Sequence, residues 1–378
     1  MQVFINPDKS SWNGILQRPA FDTRQLEGTV AAILEEVRLN GDAAVKKYAL
    51  QFDKVEPNEL KVTAGEIDEA LNLVDEKLKA AIQIAKDNIT AFHQSQKEAV
   101  TPIETTNGVV CWRKSVGIEK VGLYIPGGTA PLFSTLLMLG IPAMLAGCKE
   151  IVVCTPPDKN GKINPVILYV AQLIGLKNIY KAGGVQAIGA MAYGTATITK
   201  VYKIFGPGNQ YVTCAKQLVN ATGIAIDMPA GPSEVAVYAD ETCNVAFVAA
   251  DLLSQAEHGT DSQVILVANA VAVIDKVKVE IEKQLTQLSR VAIATKALEY
   301  ARFIVIENTA VAFELLNEYA PEHLIIASDS ALALAEKVSN AGSVFSGIIP
   351  RRVQEIMHRV PTILYQPMVM QKHTAVFL

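Results

Sequence analysis

Hydrophobic residues recur at helical spacing through the first hundred positions of the chain. Residues 28–97 follow this pattern, and EIDEALNLVDEKLKAAIQIAKDNITAFHQ keeps its charges off one apolar stripe. The stripe consists of Ile67, Ala70, Leu71, Val74, Leu78, Ile82 and Ile89. The pattern predicts amphipathic helices that bury one face.

The pattern changes at Gly117, where short β-branched runs begin to alternate with apolar helical segments. The first block contains the runs VGLYIPG, EIVVCTPP, KNIYKAGG and VYKIFGPG. After the loop and strand IDMPAGPSEVAVYAD, a second block contains CNVAFVAADLLSQAEHG, SQVILVAN, FIVIEN and HLIIAS. This alternation is typical of βαβ units with a parallel sheet. We therefore expect an α/β protein with two Rossmann-like parallel-sheet domains.

Length and charge narrow the classes of protein that this chain can belong to. Its 378 residues suffice for two or more domains, and a formal net charge of −4 argues against a nucleic-acid or membrane-surface partner. The N-terminus MQVFINPDKSSWNG lacks the features of a secretion signal. The uncharged stretch 130–148 contains Pro131 and Pro142, so we expect a buried helix there and no membrane span. Five scattered cysteines without CxxC spacing suit the reducing cytoplasm.

Three glycine-rich turns follow predicted strands. They are PGGTAP after Tyr124, GGVQAIGA after Tyr180 and GPGNQ after Phe205. Glycines at such places let a ligand approach backbone N–H groups, although none of the turns is the GxGxxG dinucleotide fingerprint. Each turn alone is equally a tight βα connection. Together, at the carboxyl ends of parallel strands, they indicate a ligand site.

Two of the five histidines stand beside a glutamate at the end of an element. They are His258 in SQAEHG and His323 in APEHL. A Glu–His step can supply an acid–base pair, and Gln255 has the i, i+3 spacing to His258 that suits a metal site. Taken singly, each histidine is also a plausible surface or capping residue.

Six longer motifs together resemble the histidinol dehydrogenase family. They are YIPGGTAPLFSTLLMLGIPA, GGVQAIGAMAYGT, KIFGPGNQYV, IDMPAGPSEV, DLLSQAEHGTDSQVIL and YAPEHLII, and the resemblance runs from Phe21 to Phe345. It implies NAD-dependent, zinc-requiring oxidation of L-histidinol to L-histidine through L-histidinal, the last step of histidine biosynthesis. It also implies two NAD per product, one Zn2+ per site and a homodimer.

The resemblance further implies a domain order and a set of site residues. We expect an N-terminal arm (1–22), a discontinuous first Rossmann-like domain (23–123 and 232–346) and an inserted second one (124–231). The matching NAD positions are Tyr124, Gln186 and Asn209. The matching catalytic pair is Glu322 and His323, and the matching zinc ligands are Gln255 and His258. The matching substrate positions are Ser233, Gln255, His258 and His323.

The chain departs from the family pattern after Gly347. There the family has a stretch like YSPESxGDYxSGxNHxLPT, which supplies an aspartate zinc ligand and an active-site histidine, and a later tail supplies a ligand to the partner subunit. Read one base out of frame, residues 348–369 permit NYSPES, AGDYA, SGTNH and TLPTNG. We therefore expect residues 347–378 to be a non-native, frameshifted tail without those ligands.

Two other functions stay open on the sequence. Gln255, His258 and Glu322 could serve a zinc-dependent hydrolase that activates water without NAD. The altered tail also allows a catalytically dead remnant that only binds ligand.

Overall fold

The computed structural model describes residues 1–18, 24–97, 99–127, 132–228, 233–347 and 369–372. These residues form two compact units. The first unit contains residues 1–18 and 233–347, and the second contains the described residues between 24 and 228 together with 369–372. Each unit is built on one parallel sheet with helices on both faces, which confirms the expected α/β class.

The elements are numbered here in chain order. The N-terminal segment has β1 (Gln2–Ile5) and α1 (Lys9–Ile15). The second unit has α2 (Arg24–Asn40), α3 (Asp42–Tyr48), a π-helix (Ala49–Asp53), α4 (Ala64–Leu73), α5 (Glu76–Ser95), β2 (Ile103–Thr106), β3 (Val109–Cys111), β4 (Lys114–Gly117), β5 (Lys120–Tyr124), α6 (Phe133–Ala146), β6 (Glu150–Thr155), α7 (Pro165–Leu173), β7 (Asn178–Lys181), α8 (Gly184–Tyr193), β8 (Lys203–Phe205), α9 (Gln210–Ala221) and β9 (Ala225–Ile226). The first unit resumes with β10 (Glu234–Ala239), α10 (Val245–Ala256), β11 (Gln263–Ala268), α11 (Val271–Leu285), α12 (Val291–Glu299), β12 (Arg302–Val305), α13 (Thr309–Tyr319), β13 (His323–Ala327), α14 (Ala331–Ala335) and β14 (Ser343–Ser346). A last strand, β15 (Val369–Lys372), pairs antiparallel with β4.

The second unit has a five-stranded sheet in the order β7-β6-β5-β8-β9, with all neighbours parallel. Helices α2, α3, α8 and α9 bury one face, and α4 to α7 bury the other. The chain first builds outward from β5 through β6 to β7, and then returns to β8 on the other side. The switch point between β5 and β8 is where sheets of this kind bind ligands, at their carboxyl ends.

The first unit has a six-stranded parallel sheet in the order β1-β12-β11-β10-β13-β14. Helices α10, α11 and α12 cover one face, while α1, α13 and α14 cover the other. Trp12 of α1 is among the largest fully buried side chains. The N-terminal segment is therefore a strand and a helix of this unit.

This division corrects two expected boundaries. Residues 24–97 were expected with 232–346, but their helices pack on the sheet of the second unit, where α2 contacts α8 and α5 contacts α6. Apolar residues of these helices, such as Val30 of α2 and Ile82 of α5, are buried in the two clusters that cover the faces of this sheet. Residues 1–18 were expected as a separate arm, but β1 extends the first-unit sheet through its pairing with β12.

Several elements differ in detail from the sequence pattern. The long stripe is divided between α4 and α5, because Val74 is extended and the Asp75 carboxylate caps α5 by accepting from the Lys77 and Leu78 amides. The short strands β2 to β4 and helix α12 were not foreseen. The uncharged stretch forms α6, a buried helix that contains Pro142, as expected. Within the described residues, no helix has the length and apolarity to cross a membrane.

Candidate functional site

Polar residues begin four neighbouring strands of the first-unit sheet. β10 starts at Glu234, β11 at Gln263, β13 at His323 and β14 at Ser343, and pairing in register places them along one edge. This is the amino edge of the sheet, the opposite end from the usual ligand site of parallel sheets. The predicted acid–base pair, Glu322 and His323, therefore lies where these four strands begin.

The imidazole of His323 is oriented by Ser343. Nδ1 of His323 lies 3.0 Å from Oγ of Ser343, and that hydroxyl donates to the Glu322 carbonyl at 3.3 Å. When the serine proton is used in this second bond, Oγ accepts from an Nδ1–H on His323. Nε2 is then the unprotonated nitrogen, and it is the atom that can take a proton. Ser343 was not foreseen from the sequence, since no motif marks it.

Burial keeps His323 neutral. Desolvation, with a smaller contribution from the nearby His258, lowers the pKa of the His323 imidazole to about 4. Burial also lowers the pKa of His258, with a smaller contribution from Arg290. Both rings are therefore unprotonated near neutral pH, which is the form that a base or a metal ligand requires.

The carboxyl group of Glu322 lies in a buried, hydrogen-bonded position. Its Oε2 accepts from the backbone N–H of Glu234 at 3.0 Å. Desolvation raises the pKa of Glu322, the backbone hydrogen bond opposes that change, and the charge of Glu234 adds to it. A carboxyl with a raised pKa is suited to exchanging protons with water near neutral pH.

Arg18 neutralises Glu234 at the same edge. Its guanidinium forms a bidentate pair with the Glu234 carboxylate and also donates to the Tyr319 carbonyl at 2.7 Å. The guanidinium carbon lies 4.4 Å from the centre of the Tyr319 ring, a cation–π contact. This N-terminal arginine thus holds the start of β10, to which Glu322 is bonded. Sequence reasoning missed it because Arg18 is more than two hundred residues from Glu234.

Helix α10 and the turn that follows it carry three polar residues, with Asp251 and Gln255 on the helix and His258 two residues beyond its end. Asp251, Gln255 and His258 follow one another at i, i+4 and i+7, and the first two are 7 % exposed. Oδ1 of Asp251 and Nε2 of Gln255 are buried without a hydrogen-bond partner among the described residues. Desolvation raises the pKa of Asp251 to about 7. Asp251 was not foreseen, although its i−4 spacing from Gln255 was readable.

Gln255 and His258 carry side chains of the kind that can bind zinc, but a zinc site needs more ligands than these two. Gln255 offers an amide oxygen, and His258 offers a neutral imidazole nitrogen. No group of three or more His, Cys, Asp or Glu side chains within the described ranges can hold a metal. These two predicted ligands are fewer than the three or four protein ligands that a zinc site needs.

The remaining predicted substrate residue, Ser233, directly precedes β10. Its backbone carbonyl accepts from the Gln263 N–H at 3.0 Å. This bond fixes Ser233 at the same amino edge as Glu322 and His323. The predicted substrate and zinc residues are thus all in the first unit.

The predicted NAD residues lie in the second unit, at the carboxyl ends of its strands. Tyr124 ends β5, and its hydroxyl accepts from the Gly184 N–H at 3.1 Å. Burial raises the pKa of Tyr124 to about 12, so the hydroxyl keeps its proton. Gln186 is 1 % exposed, and both its amide atoms lack partners among the described residues. A buried amide with four unused hydrogen-bonding positions is suited to a polar ligand.

Asn209 occupies the third turn. Its side-chain oxygen accepts from the Tyr211 and Val212 amides at 3.1 Å and so caps α9. Gly206, three residues earlier, has φ +134°, and a Cβ there would lie 2.1 Å from the Tyr124 carbonyl oxygen. The turn after β8 is therefore pressed against the end of β5. The structure brings Tyr124 and the turns of Gln186 and Asn209 to one edge of this sheet.

Asp53 is a further polar residue near Tyr124 in the second unit. It ends the π-helix, and burial raises the pKa of its carboxyl to about 6. Its Oδ2 is buried without a partner among the described residues, and its charge raises the pKa of Tyr124. π-helical turns often mark functional sites, but no local pattern in the sequence marks this one.

The chain has two parallel α/β units. One of them holds a neutral histidine, His323, beside a buried glutamate, Glu322, and these features are those of a two-unit α/β enzyme. The profile of the family described as "Histidinol dehydrogenase" matches residues 16–356. A histidinol dehydrogenase of Bacteroides thetaiotaomicron is 57% identical over 347 residues, which are 92% of this chain and 81% of the relative. One of Vibrio vulnificus is 49% identical over 348 residues, 91% of this chain and 80% of the relative.

The fold comparison agrees with the sequence comparison. The crystal structure of histidinol dehydrogenase from Elizabethkingia anophelis matches with a TM-score of 0.92 and 49% identity, covering 99% of this chain and 90% of that one. The chain belongs to the histidinol dehydrogenase family. The comparisons thus confirm the expected family and lend no support to the hydrolase.

Proposed function

We propose that the chain's site is built for the NAD-dependent, zinc-requiring oxidation of L-histidinol to L-histidine through L-histidinal. The observation that carries this proposal is the oriented, neutral His323 beside the buried Glu322. Oxidising an alcohol needs a base for the hydroxyl proton, and oxidising the resulting aldehyde needs an activated water. His323 is suited to take the hydroxyl proton, and Glu322 is suited to activate the water.

His323 is the base of the first oxidation. Its Nδ1–H is used in the bond to Ser343, so Nε2 accepts the hydroxyl proton while the hydride leaves the carbon. The lowered pKa of His323 ensures that Nε2 is free to accept at neutral pH. As the ring becomes charged, it is stabilised by the Ser343 oxygen.

Glu322 is the base of the second oxidation. Its buried carboxyl, with a raised pKa, takes a proton from the water that adds to the aldehyde carbon. The backbone N–H of Glu234 holds Oε2, which leaves the other carboxyl oxygen for the water. Ser233 lies at the same edge and is suited to hold the substrate.

The residues that would hold the cofactors are distinct from this pair. Gln255 and His258 would contribute to a zinc site, and Tyr124, Gln186 and Asn209 would bind NAD. When bound, zinc supplies a Lewis acid for the amino alcohol and NAD supplies the hydride acceptor of both oxidations.

The division of roles is tested by separating the half-reactions. In an enzyme whose tail is restored to the family reading frame, Glu322→Gln should slow NADH formation from L-histidinal at least 10-fold more than from L-histidinol, because only the aldehyde step needs activated water. Glu318→Gln, in the adjacent helix α13, is the control and should leave both rates unchanged. Equal losses in the two half-reactions would refute the division.

A further inference from the structure

A buried ion pair lies beside the β8–α9 turn of the second unit. Lys216 of α9 contacts the carboxylate of Asp227, which follows β9, and the two residues are 5 % and 3 % exposed. Removing two charges from water costs free energy that their mutual attraction often fails to recover. A net gain in stability therefore does not explain why this pair is buried. The groups that the two side chains contact indicate another role.

Both partners of the pair hold the same glycine. The Gly206 N–H donates to Oδ2 of Asp227 at 2.8 Å, and the Gly206 carbonyl accepts from Nζ of Lys216 at 2.9 Å. Two successive peptide groups are therefore bound by one buried ion pair. The next residue, Pro207, has no N–H, so the turn has few hydrogen bonds of its own.

The conformation held by the pair is one that the chain does not adopt freely. Gly206 has φ +134° and lies so close to Tyr124 that only a residue without Cβ fits. Three residues later, Asn209 caps α9. The position of Asn209 relative to Tyr124 thus depends on the backbone at Gly206.

We propose that Lys216 and Asp227 are a positioning pair, which fixes the β8–α9 turn in the shape that receives NAD. This inference rests on the proposed function, because it takes the turn to be part of the NAD site. Neither residue touches the cofactor in this account. Their charges act through the two peptide groups of Gly206.

The test replaces both charges at once in the full chain. Lys216→Met/Asp227→Leu removes the pair without leaving one buried charge alone. Hydrogen exchange of the amides of residues 204–212 should become at least 10-fold faster, and the Kd for NAD in a fluorescence titration should rise at least 10-fold. Exchange of β13 in the first unit should stay unchanged. The matched control is Lys162→Gln/Glu69→Gln, an exposed pair in the same unit, which should alter neither reading.

A double variant with the parent's exchange rates and NAD affinity would overturn the proposal. If that variant does not fold, Asp227→Asn and Asp227→Ala decide the matter, because asparagine still accepts from the Gly206 N–H and alanine does not. A positioning role predicts a clearly lower Kd for Asp227→Asn than for Asp227→Ala. Equal Kd values in the two variants would contradict it.

The proposed function can fail separately. A parent chain that binds no NAD contradicts the proposed function, whereas the exchange comparison still decides whether the pair fixes the turn. Unchanged exchange in the folded double variant overturns the positioning role whatever the NAD result.

Discussion

Burial shifts the pKa values of individual side chains of the first unit in opposite directions. The pKa of His323 falls to about 4, while the pKa of Asp251 rises to about 7. For His323, the neutral form is favoured by folding, so stability is lost as pH falls from about 6.5 towards 4. For Asp251, the protonated form is favoured, so stability is lost as pH rises from about 4 towards 7. At pH 7, the His323 ring is therefore neutral and the Asp251 carboxyl is about half protonated.

The stability cost of Asp251 gives a direct prediction. Asp251→Asn removes the buried charge, so the free energy of unfolding should increase by up to about 4 kcal/mol at pH 8 and hardly at all at pH 4. Thermal melts at both pH values, with a chelator present, measure the difference from the parent. The exposed Asp275→Asn of α11 is the control and should show no such pH dependence. A melting temperature that is unchanged at pH 8 would contradict the buried, unpartnered carboxyl.

The Ser343 hydroxyl gives a second prediction at this scale. Ser343→Ala should lower kcat for L-histidinol about 10-fold in the frame-restored enzyme with little change in KM, because the His323 ring loses the partner of its Nδ1–H. Steady-state rates of NADH formation measure the effect. Ser346→Ala, at the other end of β14, is the control. A rise in KM with unchanged kcat would assign Ser343 to substrate binding instead.

Elements and their turns decide where the site residues point. The β8–α9 turn depends on a glycine whose φ and surroundings exclude any side chain, while Gly28 within α2 has open space around it. The same residue type therefore has opposite roles in two elements. In the turn it is required by the close approach of two strands, and in the helix it only weakens the helix.

Two Gly→Ala variants test this contrast. Gly206→Ala should destabilise the chain by about 3 kcal/mol or more, because its Cβ would clash with the Tyr124 carbonyl in a conformation unfavourable to alanine. Gly28→Ala should stabilise it by about 1 kcal/mol through helix propensity. Denaturant unfolding measures both. A Gly206→Ala variant as stable as the parent would show that the turn can move away from β5.

At the scale of the whole molecule, the number of zinc ligands decides how much activity we expect of this chain. The two proposed zinc ligands, Gln255 and His258, are neutral groups, and the sequence predicts that the family's anionic ligand is missing from the stretch after Gly347. The frameshift prediction concerns residues 347–378, of which only 347 and 369–372 are described. A site without its anionic ligand binds Zn2+ weakly, so we expect the chain as written to have little activity.

Restoring the reading frame tests this expectation. The restored protein should bind one Zn2+ per chain, oxidise L-histidinol and form the homodimer, whereas the parent should be poor in all three because its residues 348–378 do not match the family's pattern. Metal analysis, NADH absorbance and light scattering measure these properties. A parent chain with stoichiometric zinc and the restored rate would contradict either the frameshift or the choice of ligands.

The sequence by itself determined the class, the two alternating blocks and the family. Periodicity of two and of 3.6 residues reports which faces are buried, and long ordered motifs such as KIFGPGNQYV are specific. It also placed Tyr124, Gln186 and Asn209 after strands, because glycine-rich turns are local features. These signals require only neighbouring residues.

Only the tertiary structure decided which sheet the N-terminal helices cover, because an apolar stripe does not specify its partner. It alone placed His323 beside Ser343, Arg18 beside Glu234 and Gly206 between Lys216 and Asp227. It also placed the acid–base pair at the amino edge of its sheet. Contacts between residues far apart in the chain depend on how strands are ordered and paired, and no local pattern in the sequence carries that information.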